Sequence, residues 1–108
     1  MPPVEWKGVM SWCHSRLTVW GTKGEIKRFE RSRWKEKLGA KYVEWLETSH
    51  HRVVHQFETD TPPVQKLAAL SHRFPKLTFI LVYEMEDEMQ HGLAKVKRGV
   101  VDQYQTTR

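Results

Sequence analysis

The chain has 108 residues, 39% hydrophobic and 29% charged, with a formal net charge of +5 and an isoelectric point near 9.5. That length gives one domain over residues 1–108 with a modest core and speaks against a large internal ligand cavity, and the composition is that of a globular rather than a disordered chain. No apolar run is long enough for a membrane span, and the lone Cys13 excludes an internal disulfide and any multi-cysteine metal site.

In chain order, Pro2 and Pro3 predict an irregular lead-in, and Glu5 and Lys7 interrupt any secretory signal. Cys13 to Trp20 alternates polar and apolar residues around Leu17 and Val19, the period of a half-buried strand. Gly21 breaks that pattern. Thr22, three residues before Glu25, stands where a helix N-cap belongs, so a helix is expected from about Lys23 to Leu38. Ile26 and Phe29 form its inner stripe. Trp34 and Leu38 fall off that stripe, which predicts a kink or break near Arg31 to Arg33, with Gly39 as the stop.

Lys41 to Thr48 and Arg52 to Thr59 are rich in Val, Tyr, Trp and Phe and flank Ser49-His50-His51, which reads as a β-hairpin. Thr61-Pro62-Pro63 opens a second helix, running to Phe74 with Val64, Leu67, Ala68 and Ser71 on one side. Leu77 to Met85 is the most apolar run and predicts a strand buried on much of both faces. Gly92 to Lys97 and Val100 to Gln105 flank a turn at Arg98-Gly99. This order predicts an α+β, ferredoxin-like βαββαβ sandwich, an antiparallel sheet with two helices on one face plus a C-terminal β-hairpin extension.

The run Ser11-Trp12-Cys13-His14-Ser15-Arg16-Leu17-Thr18-Val19-Trp20-Gly21 resembles the opening strand of the YubB-like ferredoxin-like domains. Further similar positions are Phe57, Thr59, Pro62-Pro63, Leu70-Ser71, Phe74-Pro75, Leu77, Phe79, Tyr83, Met85-Glu86, Gly92 and Gly99. Ser15 stands where that family carries Asn, and Trp34 to His55 lies outside the match. The resemblance implies the same fold and an origin on plasmids, phages or other mobile elements. It transfers no catalytic residues.

No residue set has both the types and the spacing that catalysis needs. Cys13 and His14 are strand neighbours and point to opposite faces, so the imidazole does not activate the thiol. His51 and His55 would lie about 13 Å apart along a strand, too far to share a metal ion, and all three histidines of that hairpin read as surface groups. Glu84, Glu86, Asp87 and Glu88 read as a solvated acidic turn, and no phosphate-binding glycine loop is present. The expectation is a protein without enzymatic activity, cofactor, metal or small-molecule substrate.

Charge carries the functional hint. Lys23 to Lys41 holds eight basic and three acidic residues, an excess equal to that of the whole chain. Phosphate contacts need only clustered cations, so Lys23, Lys27, Arg28, Arg31 and Lys35 are the candidate nucleic-acid contacts, with Trp20 as a base-stacking platform for single strands. A competing expectation has the C-terminal hairpin fold over that sheet face and bury Trp20. The expected function is an accessory protein of a mobile element, in a reducing cytoplasm, binding nucleic acid through its first helix. The alternative is a protein-interaction module that pairs through a sheet edge with a second copy or with a host or element protein.

Overall fold

The computed structural model describes residues 12–85 and 90–107. The expected lead-in and the acids Glu86, Asp87 and Glu88 lie outside these residues.

The elements are β1 (Cys13–Trp20), α1 (Lys23–Arg31), α2 (Trp34–Leu38), β2 (Lys41–Thr48), β3 (Arg52–Thr59), α3 (Val64–Ser71), β4 (Thr78–Met85), β5 (Gln90–Lys97) and β6 (Val100–Thr107). All six strands form one antiparallel sheet in the order β2-β3-β1-β4-β5-β6. This corrects the expected two-helix ferredoxin-like sandwich. The described residues form three short helices against a six-stranded sheet. The extra helix has a local cause: the phase slip between the Ile26/Phe29 and Trp34/Leu38 stripes is resolved by leaving helical geometry at Ser32, whose φ and ψ are extended. Both stripes can then face the core. Gly39 stops α2 in the left-handed region. The N-terminus of α1 is capped by Thr22, whose Oγ1 accepts from the Glu25 N–H at 3.3 Å.

The core lies between the helices and one face of the sheet. Cys13, Leu17 and Val19 of β1, Val53 and Phe57 of β3, and Phe79, Leu81 and Tyr83 of β4 are buried there. Phe29 is its hub. Its ring stacks on Trp34 at 5.3 Å and meets Phe74 and Phe79 edge-on at 5.5 and 5.4 Å. Buried aromatic rings in offset or edge contact add to the area they remove from water.

β4 departs from expectation. Phe79, Leu81, Tyr83 and Met85 are buried, whereas Val82 and Glu84 are exposed and Ile80 is half-buried. The reason is topological: β5 pairs along the edge of β4 from Phe79–Val96 to Met85–Gln90. The C-terminal hairpin thereby widens the sheet rather than covering its outer face, and Trp20 stays 39% exposed. At the tip of that hairpin Arg98 and Gly99 both have positive φ, 52° and 79°. That is the turn whose twist matches a two-residue hairpin. The Gly99 N–H donates to Ser71 Oγ at 2.8 Å and Arg98 Nε donates to the Pro75 carbonyl at 3.2 Å, fastening the tip to the end of α3.

Gly92 of β5 has a different constraint. A Cβ there would run into the Tyr83 ring, which lies across the β5 backbone. The Tyr83 hydroxyl in turn accepts from Gln103 Nε2 of β6 at 2.6 Å. One aromatic side chain thus links three neighbouring strands.

Candidate nucleic-acid interface

α1 turns Ile26 and Phe29 into the core, which leaves Gly24, Lys27, Arg28 and Arg31 on its outer side at helical i, i+3 and i+4 spacing. The residues just after α3 pass beside them. Between the two runs a groove of about 560 Å³ is lined by Gly24, Lys27, Arg28, Arg31, Ser32, Arg73 and Phe74. Gly24 leaves the helix surface open there, with nothing within 4 Å of where a Cβ would stand.

Arg28 is held in place on the groove wall. Its guanidinium lies 4.6 Å from the Phe74 ring centre, and Nη2 donates to the Arg73 carbonyl at 2.9 Å and to Glu25 Oε1 at 3.3 Å. A stacked, tethered guanidinium is pre-oriented and has less rotamer freedom left to lose on binding an anion. Lys27, Arg31 and Arg73 have no carboxylate partner among the described residues. Four cations therefore converge on one concavity, with Glu25, already paired to Arg28, as its nearby acid.

The structure brings Lys27, Arg28 and Arg31 together and leaves the other sequence candidates elsewhere. Lys23 is exposed at the first residue of α1. Lys35 sits on α2, with Nζ 5.9 Å from the Trp34 ring centre. Trp20 lies on the opposite face of the sheet, under the Arg52 guanidinium at 4.9 Å. Arg73 was missed by sequence reasoning, because its place in the groove depends on how the end of α3 packs against α1. The one sequence signal for it was adjacency to Phe74, an inward position of the helix expected to run that far, which ends at Ser71 in the structure.

The outer sheet face is a second feature. His14, Arg16, Thr18 and Trp20 of β1, Val82 of β4, Leu93 and Lys95 of β5 and Tyr104 of β6 point to it. His14 and Glu58 approach to 3.7 Å and His91 and Glu84 to 3.8 Å across neighbouring strands. Among the described residues no group of three or more His, Cys, Asp or Glu side chains is arranged to hold a metal ion.

Two polar groups stand apart from both features. His55 is buried, not a surface group as expected. Its Nε2 faces both Glu30 carboxylate oxygens at 2.8 and 3.0 Å, and its ring packs 4.7 Å from Trp34. Cys13 is buried beside Ser15, Sγ to Oγ 3.7 Å, and burial pushes its thiol above the ordinary value of 9.0. A thiol held protonated is a poor nucleophile.

No family model and no curated protein matches the chain. It is similar in fold to the crystal structure of a protein, api92 from Yersinia pseudotuberculosis, described under the family model DUF1281. The TM-score is 0.50 at 15% identity, over 67% of this chain and 29% of that one. The chain thus spans under a third of that protein's length, and the likeness is one of fold. The class the fold defines is a small α+β domain with a six-stranded antiparallel sheet. No helix among the described residues is long and apolar enough to cross a membrane.

Proposed function

We propose that this chain is a non-enzymatic binding protein that grips the phosphate backbone of nucleic acid in the groove between α1 and the end of α3. The observation that carries this reading is the convergence of Lys27, Arg28, Arg31 and Arg73 on one concave surface. Guanidinium and ammonium groups spaced along a groove match successive phosphates and displace their condensed counterions. Base stacking has no part in this site, because Trp20 belongs to the other face. The resemblance to YubB-like domains adds, within the same proposal, an accessory role on a mobile element. The lone Cys13 is consistent with a reducing cytoplasm.

The test is a fluorescence titration of a labelled single-stranded oligonucleotide at two salt concentrations, repeated with a duplex. Arg31→Glu and Arg73→Glu are each expected to weaken binding and to lower the salt slope by about one unit per lost phosphate contact. Lys95→Glu, an equal charge change on the outer sheet face, is expected to leave the slope nearly unchanged. Equal losses from Lys95→Glu would refute the groove. Absence of binding tighter than about 10⁻⁴ M, the weak end of ordinary non-specific affinity, would refute nucleic acid altogether.

A further inference from the structure

We propose that the β6 edge pairs with the β6 edge of a second copy of this chain, joining two sheets into one around a twofold axis at Tyr104. The two edges of the sheet are built differently. β2 shows two register shifts against β3 and positive φ at Tyr42, and it carries the charges of Lys41, Glu44 and Glu47. Bulges and charges are the ordinary devices that keep an edge from recruiting another strand. β6 has no bulge and little charge. It pairs with β5 without a shift from Lys97–Val100 to Gln90–Thr107, contains no proline or lysine, and has Asp102 as its one charged residue. A contact between copies along β6 brings one charged side chain from each, Asp102, whereas one along β2 would bring Lys41, Glu44 and Glu47.

The register follows from the hairpin. A two-residue turn makes Lys97 and Val100 a hydrogen-bonded pair, and such pairs alternate along an antiparallel ladder. Val100, Asp102, Tyr104 and Thr106 therefore spend their backbone groups on β5. Val101, Gln103, Gln105 and Thr107 present theirs outward, along an edge that no other strand among the described residues covers. A twofold axis at Tyr104 sets Gln103 opposite Gln105 of the second copy and Val101 opposite its Thr107, so each outward group meets an outward partner. Asp102 then faces Thr106 of the second copy, not another charge. The two Tyr104 rings, each 70% exposed in one copy, face each other in a close, non-hydrogen-bonded pair. The self-complementary edge is what a closed twofold dimer requires.

Light scattering on the chain at about 100 µM, well above a micromolar dissociation constant, is expected to give twice the monomer mass. Gln103→Pro removes an outward N–H together with the side-chain bond to Tyr83, keeps the backbone ladder to β5, and is expected to give a folded monomer by circular dichroism and light scattering. Tyr104→Cys supplies an independent readout. Directly opposed residues in a non-hydrogen-bonded pair have Cα atoms about 4.5 Å apart, within reach of a disulfide. Oxidised glutathione is expected to convert that variant to a covalent dimer, while the buried Cys13 stays a thiol. A monomeric wild-type chain at that concentration overturns the proposal. So does a dimer that survives Gln103→Pro, or a wild-type dimer whose Tyr104→Cys variant does not cross-link. None of these outcomes depends on nucleic acid.

Discussion

At Gly92 the backbone of β5 and the ring of Tyr83 occupy neighbouring space so closely that one methyl group has no room. Gly92→Ala is expected to push Tyr83 off its rotamer and off Gln103, costing about 1–3 kcal/mol in urea unfolding. Gly24 is the matched control. It sits in a helix with open space around its Cβ position, so Gly24→Ala is expected to stabilise by about 0.5–1 kcal/mol. If both substitutions had the same sign, local crowding would not be what holds glycine at position 92.

Cys13 makes a residue-scale prediction about pH. Burial raises its pKa in the fold above 9.0, so the unfolded chain gives up the thiol proton first. The stabilisation is complete below pH 9.0 and is lost as pH rises through the folded value. Between about pH 8 and pH 10.5 the urea midpoint of the wild-type chain is expected to fall further than that of Cys13→Ala. Equal falls would assign the loss to other groups.

At the scale of elements, what the sequence made legible was local. Alternation marked Cys13–Trp20 to the residue, Thr22 and Gly39 marked the helical segment, and the phase slip marked its break. Arg98-Gly99 marked the last turn. The rest depends on which element packs against which. The apolar run Leu77 to Met85 looked buried on both faces because composition cannot say whether a second layer exists. His55 looked like a surface group because its partner, Glu30, lies 25 residues earlier on a different element. The groove was half legible for the same reason: α1 supplied three of its cations in one contiguous run, whereas Arg73 enters from the segment after α3, 45 residues beyond Arg28.

On the scale of the whole molecule, the strand order sets a gradient of stability. β1 is flanked on both sides by full-length partners, with every residue from Cys13 to Trp20 paired to both β3 and β4. Opening it requires breaking the sheet in two, so its amides are expected to exchange with solvent only through global unfolding. The edge strands open more cheaply. In hydrogen-exchange mass spectrometry β2 is expected to exchange fastest among the strands at every protein concentration. β6 is expected to slow as concentration rises, because self-pairing covers the outward amides of Gln103 and Gln105. A concentration-independent β6 would speak against the paired edge, and fast exchange in β1 would speak against the sheet order itself.

The widening of the sheet by the C-terminal hairpin also bears on how this chain can change over generations. At Arg16, Trp20, Val82, Leu93 and Lys95 the side chains point away from the packed core, while their backbones remain locked in the ladder. Substitutions there disturb no interior packing, and a single surface change usually shifts stability by only about 0.5 kcal/mol. The outer face is therefore open to drift and to selection at little cost to the fold, whereas each inward position is answerable to Phe29 and its neighbours. Two homologues could share this fold, and one face nearly intact, while presenting unrelated chemistry on the other.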